Sequence, residues 1–258
     1  MKNSEQITII SFSGIYKQEQ FWREYKASWV EAQDISGTNC YCDEEALREI
    51  DRRTGEIPYD GIHFIDSGNY HYMTRFWIGR ITCPFRLIVF DNHTDMQMPA
   101  FGNILSCGGW IAASLEELEN LKEVVLIGPD EESYSQVQDQ LKVKVRFLSR
   151  EKLKEMTYKE KENFIKGIME ENRMPFYISI DKDVLSPDEA DTTWSQGEMT
   201  GEELLWWLNK ITEFENLTGE SWLGMDICGE SDPDYTRDNG LNDRMNDLIL
   251  QEVVRKDS

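Results

Sequence analysis

Phe85-Arg86-Leu87-Ile88-Val89-Phe90-Asp91-Asn92-His93-Thr94-Asp95 is the stretch on which the reading of the fold turns. Phe85 to Phe90 is an apolar run with one interruption, at Arg86. Such a run predicts a strand of a parallel sheet, buried on both faces. It ends in Asp91, and two more residues of metal-ligand type follow at once. Alternate side chains of an extended backbone point the same way, so Asp91, His93 and Asp95 can converge on one point. That point is the carboxyl end of a strand, where open α/β sheets place their ligands. Two carboxylates and an imidazole suit Mn²⁺, Mg²⁺, Fe²⁺ or Zn²⁺. An acidic loop with a solvated histidine is the plainer alternative.

The same logic recurs twice. Phe176 to Asp181 reads as a buried strand, and it opens the segment Ser179-Ile180-Asp181-Lys182-Asp183-Val184-Leu185-Ser186-Pro187. Asp183 follows Asp181 by two residues and is expected to face the same way. Gly61 to Ile65 reads as another strand, running into the turn-rich loop Asp66-Ser67-Gly68-Asn69-Tyr70-His71. The chain has 3 histidines; His71 and His93 lie just past buried strands, while His63 lies inside one. A mid-strand histidine does not face the ligand crevice, so His63 is expected to be a packed core residue.

Outward from these segments, strands and helices alternate. Further strands are expected at Thr8–Phe12, Asn39–Cys42, Val124–Ile127, Val143–Leu148 and Trp222–Ile227. Gln18 to Ala32 carries Phe21, Trp22, Tyr25, Trp29 and Val30 at mixed helical spacing. Asp43-Glu44-Glu45 opens a polar helix through Arg52, with acids first and bases last, as the helix dipole favours. Helices are also expected over Tyr72–Ile81, Trp110–Leu118, Glu131–Leu141, Arg150–Asn172 in one or two pieces, and Leu241–Val254. Thr200-Gly201-Glu202-Glu203 is a capping box before an apolar helix, Leu204–Ile211. The alternation predicts an α/β fold, a three-layer αβα sandwich with a mostly parallel central sheet. No repeat or Pro/Gly/Ser linker divides residues 1–258, which are read as one domain.

Composition narrows the function. The 258 residues are 40% hydrophobic and 11% aromatic, a globular balance. Against 27 basic residues stand 49 acidic ones, a net charge of −22 that repels phosphate backbones and argues against nucleic acid. No apolar run approaches the ~20 residues of a membrane span. The N-terminus lacks the apolar core of a signal peptide. The 5 cysteines, Cys40, Cys42, Cys83, Cys107 and Cys228, are odd in number and scattered, which fits free thiols and a cytoplasmic protein. Cys40-Tyr41-Cys42 is too tight for a zinc knuckle and is read as part of a strand.

Three motifs together make the chain resemble the arginase–agmatinase (ureohydrolase) family over most of its length. The family's Asp-x-His-x-Asp is similar to Asp91-Asn92-His93-Thr94-Asp95, and its Ser-x-Asp-x-Asp-x-x-x-Pro to Ser179–Pro187. Its Gly-Gly-Asp-His survives only as the Gly and His of Gly68-Asn69-Tyr70-His71. The resemblance implies two Mn²⁺ per chain, one taken by His71, Asp91, Asp95 and Asp181, the other by His93, Asp91, Asp181 and Asp183. Asp91 and Asp181 would bridge, and Asp95 and Glu230 would be the catalytic carboxylates. It further implies that a hydroxide bridging the two ions adds to a guanidinium or amidinium carbon, after which a C–N bond breaks.

Elsewhere the chain departs from the family. The His-Gly pair expected after the Asp-x-His-x-Asp motif is replaced by Cys107-Gly108 in Ser106-Cys107-Gly108-Gly109. Cys107 is then either a thiol facing the site or a small buried residue by a turn. The family's substrate-binding Glu corresponds to Glu230, one residue late in Met225-Asp226-Ile227-Cys228-Gly229-Glu230, with Asp226 as its competitor. Asn103 is a candidate polar contact and Trp194 a candidate pocket wall. These residues lead us to expect a hydrolase of a small cationic guanidino or amidino substrate, not a plain arginase. The alternatives are a deacetylase-like amide hydrolase and a non-catalytic ligand-binding protein on the same fold. Homo-oligomers are usual in the family, so the resemblance makes a homo-oligomer a candidate assembly.

Overall fold

The structure is a computed structural model and describes residues 6–98, 104–218, 221–234 and 239–254. Among the described residues, ten strands follow in chain order: β1 (Ile7–Ser11), β2 (Ser28–Glu31), β3 (Tyr41–Cys42), β4 (Ile62–Phe64), β5 (Phe85–Phe90), β6 (Leu105–Ser106), β7 (Leu121–Ile127), β8 (Val145–Leu148), β9 (Phe176–Asp181) and β10 (Trp222–Cys228). Eight of them form one sheet in the order β2-β1-β4-β10-β9-β5-β7-β8. Every pairing in it is parallel. β3 and β6 form a separate antiparallel ribbon.

Side-chain alternation divides the apolar residues of the sheet between two cores. Ile88, Phe90, Ile178, Ile180, Met225 and Ile227 join one core, shared with Ile165, Leu204, Trp207, Ile249 and Leu250 from helices Tyr158–Glu171, Gly201–Thr218 and Asn239–Val253. Leu87, Val89, Tyr177 and Cys228 point to the other, shared with Ala46, Ile50, Trp77, Trp110 and Ile111 from helices Glu44–Thr54, Thr74–Ile78 and Trp110–Glu117. Helices on both faces of a parallel sheet make the expected αβα sandwich. Among the described residues, no helix is long and apolar enough to cross a membrane.

Local signals set the helix starts. Asp43 accepts the backbone N–H groups of Glu45 and Ala46, and Thr157 and Glu160 make a reciprocal capping box. The long charged segment divides into Arg150–Glu155 and Tyr158–Glu171. Gln18–Ala32 is not helical. It makes a 3-10 turn at Phe21–Glu24 and then the edge strand β2. The aromatic spacing there serves packing between turn and strand: Trp22 and Trp29 meet edge to face at 5.1 Å.

Arg86, the interruption in the apolar run, is completely buried. Its Nε donates to Glu123 Oε2 at 2.6 Å, and its Nη2 donates to the carbonyls of Ile168 and Asn172, both at 2.9 Å. The guanidinium thus satisfies the carbonyl end of helix Tyr158–Glu171, where acceptors lack intrahelical donors. We expect Arg86→Ala to destabilise the fold by roughly 3 kcal/mol, because it strips buried acceptors of their donor. A urea midpoint unchanged from the parent would contradict this.

His63 sits in the core, stacked on Trp77 at 4.1 Å. Its Nε2 faces the Pro58 carbonyl at 3.0 Å, which can only accept, so Nε2 carries the proton. Burial, with a smaller push from Arg80, lowers the ring's pKa to about 4 against the Pro58 hydrogen bond. Between pH 6.5 and 4 the unfolded chain therefore binds a proton that the folded ring refuses. Stability is withdrawn as pH falls through that window, to the order of 3 kcal/mol from this group. The His63 ring should read as neutral by NMR at pH 5.5; a titration midpoint near 6.5 would show the ring to be solvated.

Candidate functional site

Strand register creates the site. Phe90 pairs with Ile180 across β5 and β9, so Asp91 and Asp181 emerge side by side at the sheet's carboxyl edge. Cys228 at the end of β10 pairs directly with Asp181. Both loops then close in the same way. Asp91 Oδ1 accepts the His93 N–H at 2.6 Å, and Asp181 Oδ1 accepts the Asp183 N–H at 3.0 Å. These are side-chain-to-backbone turns two residues long, a habit of aspartate. The Asn92 N–H donates to Asp183 Oδ1 at 3.0 Å and ties the two loops together.

The loop after β5 is therefore curled, not extended as simple alternation predicts. Asp95 takes a left-handed backbone, φ 47°, uncommon outside glycine and typical of functional sites. This turns Asp95 back toward His71. Trp110 Nε1 donates to Asp95 Oδ2 at 2.7 Å and fixes it there.

The six candidate ligands converge in two overlapping groups. His71 Nδ1 lies 3.2 Å from Asp91 Oδ2, 3.0 Å from Asp95 Oδ2 and 3.6 Å from Asp181 Oδ2. His93 Nδ1 lies 2.8 Å from Asp183 Oδ2 and 3.5 Å from Asp91 Oδ1. Asp91 belongs to both groups, with one oxygen turned to each histidine. Asp181 groups with His71 and Cys228, not with His93. Cys228 was invisible as a site residue in the sequence, where it reads as the apolar end of a strand. Its Sγ donates to Asp181 Oδ2 at 3.2 Å.

The imidazoles are aimed by partners behind them. His71 Nε2 faces Ser179 Oγ at 2.9 Å, and Ser179 Oγ donates to Asp226 Oδ1 at 2.7 Å. With its hydroxyl proton committed to Asp226, Ser179 accepts from His71 Nε2–H, so Nδ1 is the nitrogen turned to the carboxylates and the one a cation would take. His93 Nε2 faces Ser195 Oγ at 2.9 Å. Neither Asp226 nor Ser195 is a candidate of this kind from sequence, because each acts through another residue's ring.

Electrostatics record the crowding. Burial would push His93 down, but Asp183 and Asp91 raise it to about 12. Burial also opposes His71, which Cys228, Asp91 and Asp95 hold well above an ordinary histidine. Asp91, despite its burial, is held below the usual carboxylate range by His71 and His93. Burial and the Asp91 charge push Asp95 up to about 6 and raise Asp181. Burial, Asp181 and Asp91 push Asp183 well up. Four buried carboxylates at one point need positive charge.

The donor set fits divalent cations. His71 Nδ1, Asp91 Oδ2 and Asp183 Oδ2 are buried and make no hydrogen bond in the protein. All three face into the cluster, where a cation would satisfy them. Gly68 is the retained glycine of its motif for a steric reason: a Cβ there would stand 2.8 Å from Asp181 Oδ2.

A cavity of about 210 Å³ opens over His93, Asp95, Asp181 and Asp183. Cys107 and Trp194 lie in its wall, with Cys40, Tyr41, Gln97 and Ser106. Trp194 meets His93 edge to face at 5.7 Å. A larger cavity, about 490 Å³, includes none of the six candidate ligands. Asn103 lies outside the described residues.

Glu230 is a correction to the sequence reading. It is completely buried and absent from the cavity wall. Its carboxylate pairs with the buried ammonium of Lys182 and accepts from Asn246 Nδ2 at 2.9 Å. Lys182 lies between Asp181 and Asp183 and opens the 3-10 turn Lys182–Val184, which turns its side chain into protein, fully buried. A buried ammonium requires a carboxylate, and Glu230 supplies it. The turn at Gly229, φ 90°, allows this; a Cβ there would lie 2.5 Å from Asp181 Oδ1. Asp226, the competitor, is equally buried and bonded to Ser179 and Thr74.

Comparisons agree with this geometry. An uncharacterised protein of Thermotoga maritima is 33% identical over 230 residues, 88% of this chain and 80% of its own length. The arginase of Bacillus caldovelox superposes with a TM-score of 0.72 at 15% identity, covering 100% of both chains. Formimidoylglutamase from Bacillus subtilis gives 0.66 at 16% identity, covering 96% of this chain and 85% of that one. The profile of the arginase family matches residues 10–253, and the chain belongs to the arginase family.

Proposed function

We propose that this protein hydrolyses a C–N bond of a small guanidino or amidino compound, using two Mn²⁺ ions. The observation that carries the reading is the pair of ligand groups sharing Asp91, each with an unsatisfied buried donor or acceptor aimed inward. His71, Asp91, Asp95 and Asp181 would hold one ion, and His93, Asp91 and Asp183 the other, with Asp181, which stands with His71 in the structure, as the fourth ligand that the family resemblance implies for the second. Two such ions would lower the pKa of a water and neutralise charge developing on the substrate.

The chain's own residues do the rest. Ser179 and Asp226 hold the His71 ring in the tautomer that offers Nδ1. Ser195 Oγ, 2.9 Å from Nε2 of His93, orients that ring. Trp194 presents a partly exposed indole beside His93, a surface for a planar cation. Among the described residues, the cavity wall carries no acid beyond Asp95, Asp181 and Asp183. Cation recognition therefore falls to Trp194 and the ligand carboxylates, and selectivity to Cys107, Ser106, Gln97 and Tyr41. The withdrawal of Glu230 favours one other reading, a metal-dependent binding protein that does not turn its ligand over.

A panel of guanidino and amidino compounds, assayed with Mn²⁺ for urea and ammonia separately, tests the choice. Turnover that vanishes on chelation and returns with Mn²⁺ supports the hydrolase. Tight binding with no product from any compound supports the binding protein, and full-rate hydrolysis by metal-stripped protein defeats both. Asp181→Asn should lower kcat/KM on the order of 10³-fold, about 4 kcal/mol. Asp226→Asn should weaken Mn²⁺ binding roughly 10–100-fold by calorimetry, because it loosens His71 without touching an ion.

A further inference from the structure

Cys40 and Cys107 meet at the cavity wall. β3 and β6 are antiparallel, with Tyr41 opposite Ser106 and Cys42 opposite Leu105. Just beyond the ribbon, where Cys40 takes a left-handed backbone (φ 62°) and Cys107 opens a 3-10 turn, the Cys107 N–H donates to the Cys40 carbonyl at 2.9 Å and holds the two residues together. The side chains meet as well, in a hydrogen bond between the Cys40 and Cys107 thiols. Two sulfurs within hydrogen-bond reach of each other can close a disulfide with little movement of the backbone. Both residues are free thiols and both line the cavity over Asp95, Asp181 and Asp183. Cys107 stands where the family has its histidine, and Cys40 belongs to the Cys40-Tyr41-Cys42 motif that metal binding leaves unused.

We propose that Cys40 and Cys107 are a thiol–disulfide modification site in the wall of the substrate cavity, closed by exchange with a low-molecular-weight disulfide. The Cys40 thiolate attacks one sulfur of the small disulfide, R–S–S–R, forming Cys40–S–S–R and releasing RS⁻. The Cys107 thiolate then attacks the Cys40 sulfur, forming the protein disulfide and releasing the second RS⁻. The protons of the two cysteines end on two RSH, and the small disulfide takes up two electrons. The order follows from access: Cys40 is partly exposed and Cys107 is buried. A hydrogen bond with Cys107 also holds Cys40 down to about 7, the range in which a thiol attacks well at neutral pH, while Cys40 and burial push Cys107 up. The other thiols are placed differently: Cys42 lies opposite Leu105, and Cys228 is buried against Asp181. Closure ties the β3 segment to the β6 turn and removes both S–H groups from the cavity wall. Its effect on turnover rests on the proposed function; its chemistry does not.

The test is peptide mapping of the whole chain, with and without Mn²⁺. The protein is equilibrated in glutathione buffers of increasing oxidised fraction, acid-quenched and alkylated. We expect a cross-linked Cys40–Cys107 peptide, loss of two hydrogens from the intact mass, and alkylation retained at Cys42, Cys83 and Cys228. Cys107→Ser should stop at the mixed disulfide of Cys40 with glutathione, and dithiothreitol should restore both thiols in the parent. Full alkylation of Cys40 and Cys107 in the most oxidising buffer would overturn the proposal. So would a stable mixed disulfide in the parent, or a cross-link to Cys42. These outcomes are read without a substrate, so an inactive enzyme leaves the result intact.

Discussion

Four carboxylates held out of water at one edge of a sheet are the constraint around which this protein is built. Asp91, Asp95, Asp181 and Asp183 are all buried, within reach of only two imidazoles. Like charges at this spacing repel strongly where water is excluded. The architecture answers by fixing every other hydrogen-bonding direction. Asp91 and Asp181 each give one oxygen to their own loop, and Trp110 holds Asp95. What remains unsatisfied points inward, and this is the arrangement expected of a site completed by cations.

The opposite side of the same strand end carries a second buried charge cluster. Lys182 projects away from its two aspartate neighbours to meet Glu230 and Asn246, and Asn246 also donates to Glu19 at 3.0 Å. Burial and the Glu230 charge push Glu19 well above the usual carboxylate range. The cluster pins the loop after β9 from behind while the aspartates face forward. A carboxylate at the position of Glu230 thus serves the frame of the site, and the cavity wall is left with thiols, hydroxyls, an amide and an indole.

Much of this was legible in the chain. Apolar runs ending in Asp91 and Asp181 located the central strands, and the alternation of strands and helices gave the layers. The candidate ligands were legible because chemistry restricts such residues to a few types at short spacings. Gln18–Ala32 was misread as helical because its aromatics pack around a turn and an edge strand, which spacing alone does not separate from a helix. Glu230 was misread because its partner is set by which way Lys182 points. The buried lysine inside an aspartate motif was the signal for it. Asp226, Ser195 and the meeting of Cys40 with Cys107 depend on contacts far apart in sequence, and no local pattern carries them.

The central claim is that Asp91 joins two metal ions into one unit. Electron paramagnetic resonance of the protein titrated with Mn²⁺ tests it most directly. The account predicts two ions per chain and the spectrum of an exchange-coupled pair, with Asp91→Ala abolishing the coupling. A single bound ion, or two ions giving only the six-line spectrum of isolated Mn²⁺, would contradict it.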